Sequence, residues 1–334
     1  MTPNDIAGLY PIELPTPFPV GPVNVVLHKG DALTLIDCGP HTDEAWAALE
    51  RGLAQHAVAV SDIERVLLTH HHIDHAGQLA RVLAVSDAET WAHPEVPSTS
   101  NQPSDEKGAE EAVWDGFLHG MMREFGVPDD IRDAAIGSWK SFRRFSAPYH
   151  IDHLFNDEGR AGPFTTYFAP GHSVTDTLLV NHAEGYSIVG DHILEAINPN
   201  PLIHRPKQAG GLRPKSLVTY QHSLRRSRAL ELGVCFPGHG APFADHRAVI
   251  DRLCGTHERR NRRVLKLVPA AGMTPYALAK AMYPGMSPEN LYLILSVAVG
   301  HMEVLEERGT LCVEYRGGVL HYVPAAHSAQ EESA

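Results

Sequence analysis

The chain has 334 residues, of which 43% are hydrophobic, and a formal net charge of −12. That length holds one large domain with a small appendage and buries a core without covalent staples. The acidity disfavours polyanionic partners unless a local basic face overrides it. Cys38, Cys235, Cys254 and Cys312 lack CxxC spacing, which excludes a disulfide scaffold and a cysteine zinc site and reads as reduced thiols in a cytoplasmic protein. The start is not the basic-then-apolar pattern of a secretion signal, and the longest apolar run, 291–299, is too short to span a bilayer.

Strand patterns come first. Residues 23–27 and 33–36 are rich in β-branched and aliphatic side chains, with a turn at Lys29-Gly30-Asp31 between them. Asp37 closes the second strand, and Glu44, Ala45, Ala48 and Leu49 fall near helical spacing after it. The buried strand 66–68 runs straight into Thr69-His70-His71-His72-Ile73-Asp74-His75, and another helix is expected from Gly77 onward. In that loop His70 and His72 skip a residue and converge on one cation, while Asp74 and His75 turn toward a second. Imidazole and carboxylate are ligands that borderline cations such as zinc accept.

Residues from 97 to about 159 change to helical character. An amphipathic helix over 106–125 centres on Val113, Trp114, Phe117, Met121 and Met122; Gly126 closes it, and Pro128 starts another running to about Phe145. This block is expected to pack over or beside the site as a lid or substrate wall, or to be an ordinary helical layer. Three strand-then-loop units follow: 165–168 into Pro170-Gly171-His172, 186–189 into Gly190-Asp191, and 234–236 into Pro237-Gly238-His239-Gly240. Each metal-type side chain sits just past the C-terminal end of a strand, where a rigid sheet presents functional loops. The 22 histidines are an excess that metal binding explains in part, though His93, His150, His153 and His222 have no matching context.

Beyond about Asp245 a long helix spans 247–268, Thr274 caps a short one over 275–282, and Ser287-Pro288 begins a third. A hairpin, 311–315 with 319–323 about Gly317-Gly318, follows, and 325–334 reads as a frayed tail. Three helices and a hairpin suggest a winged-helix-like module.

Taken together, His70-x-His72-x-Asp74-His75, His172, Asp191 and His239 resemble the metallo-β-lactamase superfamily over about residues 1–250. The resemblance implies an α/β fold, a four-layer αββα sandwich with the site at one edge. It implies a catalytic domain over 1–250, within which the helical insertion lies at about 97–159, while over 251–334 His257-Glu258-Arg259-Arg260, the third helix and the hairpin resemble the winged-helix-like appendage of another branch. It also implies two divalent metal ions, zinc, with iron or manganese as alternatives. His70, His72 and His172 would hold the first, Asp74, His75 and His239 the second, and Asp191 would bridge them. Asp74 and Asp191 are then the carboxylates assigned to catalysis. Two such cations share an ionised water whose pKa falls from 15.7 toward ~7. Asp37 is read either as an acceptor orienting a ligand histidine or the loop amides, or as a strand-end turn residue. His71 points away from the pair it separates, and His192 and Ser173 are candidates for touching substrate. Cys38 reads as core beside the site.

The histidine loop is especially similar to that of hydroxyacylglutathione hydrolases. The leading expectation is therefore cleavage of an acyl thioester or ester on a small-molecule or carrier-bound substrate. Alternatives are an endoribonuclease or phosphodiesterase, using a basic face at Arg259, Arg260, Arg262, Arg263, Lys266 and Arg316; a lactonase, although Ile193 and Leu194 stand where that resemblance would place a tyrosine; and a single-iron dioxygenase. No membrane partner is expected. The appendage, with its apolar third helix, also suits homodimerisation or docking.

Overall fold

The structure, a computed structural model, describes residues 6–96, 104–208 and 210–325, with the backbone alone for 104–111. The chain divides into two compact units. One comprises Met1–Pro103, Phe142–Pro199 and His222–Asp251, the other Ser104–Ser141, Asn200–Gln221 and Arg252–Ala334.

The first unit contains two mixed sheets. β1 (Leu9–Leu14), β2 (Val23–Lys29) and β3 (Leu33–Ile36) pair antiparallel, and β4 (Arg65–Leu67), β5 (Glu89–Ala92) and β6 (His153–Leu154) extend the sheet in parallel. In the second sheet β7 (Arg160–Ala161), β8 (Phe164–Phe168), β9 (Thr177–Asn181) and β10 (Tyr186–Gly190) are antiparallel neighbours, and β11 (Val234–Pro237) joins β10 in parallel. The side-chain period of two decides which residues meet. Val26, Ile36 and Leu67 of the first sheet pack on Phe164, Leu179, Tyr186, Ile188 and Phe236 of the second. Their neighbours Val25, Leu27, Leu35 and Val66 point the other way, onto Ala45, Leu49 and Leu53 of α1 (Asp43–Ala54), whose first turn is capped by Thr42 accepting the Ala45 N–H at 3.1 Å. Leu178, Val180 and Ser187, on the far side of the second sheet, are also buried, so that sheet is covered on both faces.

The helix expected from Gly77 onward arrives as two short pieces, α2 (Ile73–Ala76) and α3 (Leu79–Leu83). The first begins inside the histidine loop, so Asp74 and His75 lie on a helical turn.

The second unit holds α4 (Ser104–Glu124), α5 (Asp129–Ser141), α8 (Pro275–Met282), α9 (Leu291–Glu307) and the hairpin of β12 (Leu311–Arg316) and β13 (Val319–Pro324). The boundary between units falls within α6 (Ser216–Ala229) and α7 (His246–Leu267). Gly317 and Gly318 make the hairpin turn at φ +59° and +80°, values that side chains resist. The expected boundary at 250/251 meets only the last junction. Residues 104–141 and 200–221 cluster with the C-terminal helices, because Leu118, Met121, Met122, Phe125 and Ile136 share one apolar core with Leu295, Val299 and Met302. Val113, expected on the apolar face of its helix, is 53% exposed. The second helix of the insertion stops at Ser141, and Phe142–Phe145 is a 3₁₀ turn in the first unit. No helix among the described residues is long and apolar enough to cross a membrane. The expected frayed tail, beyond Ala325, lies outside the described residues.

Candidate metal centre

The seven ligand-type residues named from sequence come together at the ends of β4, β8, β10 and β11. Asp37 organises the first loop. It follows β3 in the left-handed region, φ +59°, which Asp tolerates better than most residues. Its carboxylate accepts the Thr69 N–H at 2.8 Å, the Thr69 hydroxyl at 2.7 Å and His75 Nδ1–H at 2.8 Å. The turn at 73–76 closes because the His72 carbonyl accepts the His75 and Ala76 N–H groups, and the His75 carbonyl accepts Cys38 N–H at 2.6 Å.

His172 lies on the loop between β8 and β9, which the Ala169 N–H bond to the Asp176 carbonyl closes. Asp191 follows Gly190, whose φ of +48° re-aims the chain as β10 ends. His239 follows Gly238, pinned by its N–H to the Gly190 carbonyl at 2.8 Å and by its own carbonyl to Asn24 N–H at 2.7 Å. The Nδ1–H of His239 donates to the Pro22 carbonyl at 2.7 Å. In both His75 and His239 an Nδ1–H bond fixes the tautomer and leaves the Nε2 lone pair directed at the cluster.

Three groups offer donor atoms within 4.8 Å of one another: His70, His72 and His172; His70, His75 and Asp191; and Asp74, His75 and His239. His70 Nε2 is 3.1 Å from His72 Nδ1. Asp191 Oδ1 stands 3.4 Å from His75 Nε2, and Asp191 Oδ2 stands 3.5 Å from His172 Nε2 and 3.4 Å from His239 Nε2. Asp74 Oδ2 is 3.4 Å from His239 Nε2. Two donors about 2.0–2.2 Å from one tetrahedral cation stand roughly 3.3–3.6 Å apart, and these separations fall at or near that edge length. His75 Nε2, His239 Nε2 and Asp191 Oδ1 are buried without a hydrogen-bond partner, a costly arrangement unless another group completes it. The residues present therefore fit a pair of cations.

The electrostatics agree. Burial, then the neighbouring His75, pushes His70 well below the usual imidazole range, so it offers a lone pair. Burial also works against charge on His75 and His239, but Asp191 with Asp37 holds the first well above its ordinary value, and Asp191 with Asp74 raises the second to about 10. Burial works against charge on Asp191 too, yet His75 and His239 keep its carboxyl well below the usual range. The pocket concentrates negative charge that positive charge must balance.

Other residues named from sequence lie elsewhere. His71 turns away, with Nδ1 2.8 Å from Thr175 Oγ1. Ser173 is fully buried and bonded to His71 and Thr175, and His192 is buried with Nε2 2.8 Å from Ser227 Oγ. His93 accepts the Glu95 N–H, His150 pairs with Asp152 and His153 with Glu89. Cys38 is buried, and burial with Asp37 raises its thiol well above the ordinary range, so it stays protonated. Sequence reasoning missed Asp176, which is buried and accepts the Ser173 N–H at 2.8 Å. A carboxylate just before the wholly buried β9 was the available signal.

A fold of two mixed sheets carrying this donor cluster at their strand ends defines a class. Residues 18–239 match the family model of the metallo-beta-lactamase superfamily, and the chain belongs to that superfamily, with the four-layer αββα architecture expected of it. Among relatives it is similar to the probable metallo-hydrolase YqjP of Bacillus subtilis (strain 168), at 34% identity over 327 residues that cover 96% of this chain and 98% of that one. Among solved structures it is similar to the metallo-beta-lactamase family protein TTHA1429 from Thermus thermophilus, with a TM-score of 0.79, 25% identity, and 96% and 99% of the two chains covered. A beta-lactamase domain protein from Burkholderia ambifaria shares the fold, with a TM-score of 0.73, 21% identity, and 96% and 94% covered.

Proposed function

We propose that the chain is a metal-dependent hydrolase that cleaves an acyl thioester or ester of a small-molecule or carrier-bound substrate. His70, His72 and His172 would hold one divalent cation and Asp74, His75 and His239 a second, with Asp191 available to both. The observation that carries this reading is the donor spacing of 3.1–3.5 Å around Asp191 and His70. The name of the Bacillus subtilis relative, a probable metallo-hydrolase, supports the same reaction class. When bound, the two cations, zinc with iron or manganese as alternatives, supply Lewis acidity and make water nucleophilic near neutral pH.

The chain's own residues do the positioning. Asp37 and the Pro22 carbonyl hold His75 and His239 by Nδ1, so neither ring can swing its Nε2 away. The protonated, buried Cys38 leaves no thiolate to attack substrate. Ile193 and Leu194, both buried, provide no phenol to assist lactone opening. None of the four cysteines is disulfide-bonded, which supports a cytoplasmic setting.

A second reading, phosphodiester cleavage, draws on α7, where Arg259, Arg262, Arg263 and Lys266 are exposed. One experiment separates the two. Metal content of the purified protein is measured, followed by turnover of acyl-CoA, acyl-glutathione, lactone and single-stranded RNA substrates. Two equivalents of metal with metal-dependent acyl cleavage supports the proposal. Turnover of RNA alone, weakening steeply with salt, favours the second reading, and the lack of stoichiometric metal refutes both.

A further inference from the structure

His71 sits within the histidine motif yet faces away from the donors, and the loop it faces carries His172. We propose that His71, Ser173, Thr175 and Asp176 form a latch that holds His172 in place, so that these residues set the grip on the first cation and not on the second. This rests on the dinuclear reading above.

The asymmetry comes from how each donor set is assembled. The second set draws Asp74 and His75 from one helical turn, and His239 is anchored by the Pro22 carbonyl and by the backbone bonds of Gly238. The first set joins two loops, His70 and His72 on one and His172 on the other. A backbone bond, Thr177 N–H to the Thr69 carbonyl at 2.9 Å, joins the strand after His172 to the histidine loop.

The latch supplies the rest. Asp176, 2% exposed, accepts the N–H groups of His172 and Ser173, folding the loop on itself. The His71 N–H donates to Thr175 Oγ1 at 3.1 Å, and His71 Nδ1 lies 2.8 Å from that hydroxyl and 3.1 Å from Ser173 Oγ. Thr175 N–H donates to Ser173 Oγ at 3.1 Å, and the two hydroxyls are 3.0 Å apart. Proton accounting fixes the roles. Each hydroxyl oxygen accepts one backbone N–H and still has a second lone pair and one proton, so the three contacts close when Thr175 Oγ1–H donates to His71 Nδ1 at 2.8 Å and Ser173 Oγ–H donates to Thr175 Oγ1. His71 is then the Nε2–H tautomer, a positioning residue that joins the two loops through neutral hydrogen bonds. Supporting groups of this kind typically change metal affinity about 10–100-fold.

The test is competition between the full-length protein and a zinc chelator, for wild type, Thr175→Val, Thr175→Ser, His71→Leu and His172→Ala. Melting of each metal-free protein is recorded in parallel. Thr175→Val should loosen one of two equivalents about tenfold or more, the same one that His172→Ala removes. Thr175→Ser should restore it, with the metal-free melting temperature unchanged between Ser and wild type. If Thr175→Val does not fold, His71→Leu, which removes the Nδ1 acceptor at a half-buried position, carries the same expectation. Wild type holding two equivalents while Thr175→Val or His71→Leu holds both as tightly, or loses both alike, overturns the latch alone. Fewer than two equivalents in wild type overturns the dinuclear reading and the latch with it.

Discussion

Gly238 is the position where one added carbon tests the site most directly. A Cβ there would lie 2.3 Å from Asp191 Oδ1 and 2.6 Å from His75 Cε1, whereas ordinary contact begins at 3.4 Å. Gly238→Ala must therefore move the carboxylate, the imidazole or its own backbone by roughly 1 Å. None yields cheaply. His75 is fully buried and held at 2.8 Å by Asp37, and Gly238 is bonded to Gly190 and Asn24. Overpacking of this kind costs about 1–3 kcal/mol, which is a fall of roughly 2–10 °C in Tm for a unit of this size. A misplacement of about 1 Å near reacting atoms costs about 100-fold in rate. Metal content after exchange into metal-free buffer, calorimetry and turnover would be read together. The variant should keep its far-UV circular dichroism, lose at least one equivalent of metal and turn over about 100-fold more slowly. An alanine protein with two equivalents, wild-type Tm and undiminished turnover would refute the claim that the void at Gly238 is what lets Asp191 and His75 converge.

Three further outcomes are expected. Asp37→Ala removes three buried hydrogen bonds and leaves Thr69 and His75 donors unmet, a loss of about 2–5 kcal/mol that denaturant unfolding would register; Asp37→Asn, which keeps an acceptor, should recover part of it, and equal losses would contradict the assignment. Chelation should lower Tm, because a ligand bound only by the folded state stabilises by mass action; an unchanged Tm after confirmed metal removal would count against the centre. Burial, reinforced by Arg260 for His257 and by His257 for His301, lowers these imidazoles to about 4 and about 3, whereas burial raises Glu303 to about 7. The unfolded chain binds the extra protons at the two histidines below about pH 6.5, so stability falls there as pH drops, while Glu303 works oppositely between about 4.5 and 7. Two groups against one leave a net loss on acidification, on the order of a few kcal/mol by about pH 4.5. His301→Gln should flatten that slope in calorimetry from pH 7 to 4.5, and an unaltered slope would remove His301 as its source.

The candidate centre was legible in the sequence because its chemistry is local in pattern: a dense histidine loop, then His or Asp just past a strand and beside glycine. The Asp37 contact to His75 was legible only as one of two readings, since a strand-end aspartate is equally good as a turn residue. β1 was not named. Its apolar alternation at Leu9, Ile12 and Leu14 is interrupted by Pro11, which this edge strand of the sheet tolerates. The partition into units was not legible either. Met121, Met122 and Phe125 announce a buried helix face, but nothing in their spacing says that its partner lies on α9 rather than on the nearby strands. Asp176 escaped for a related reason: its partners are backbone N–H groups, which leave no trace in residue types.

The interleaving of the two units sets a timetable for synthesis. The chain passes between them at residues 104, 142, 200, 222 and 252, and the core of the second unit needs Leu118 and Phe125 together with Met302 and Tyr322. At translation speeds of about 5–20 residues per second, the greasy side of α4 waits roughly ten to thirty seconds for the helix that will cover it. Nascent chains halted before α9 should therefore recruit chaperones and clump, whereas release just past the hairpin should rescue them.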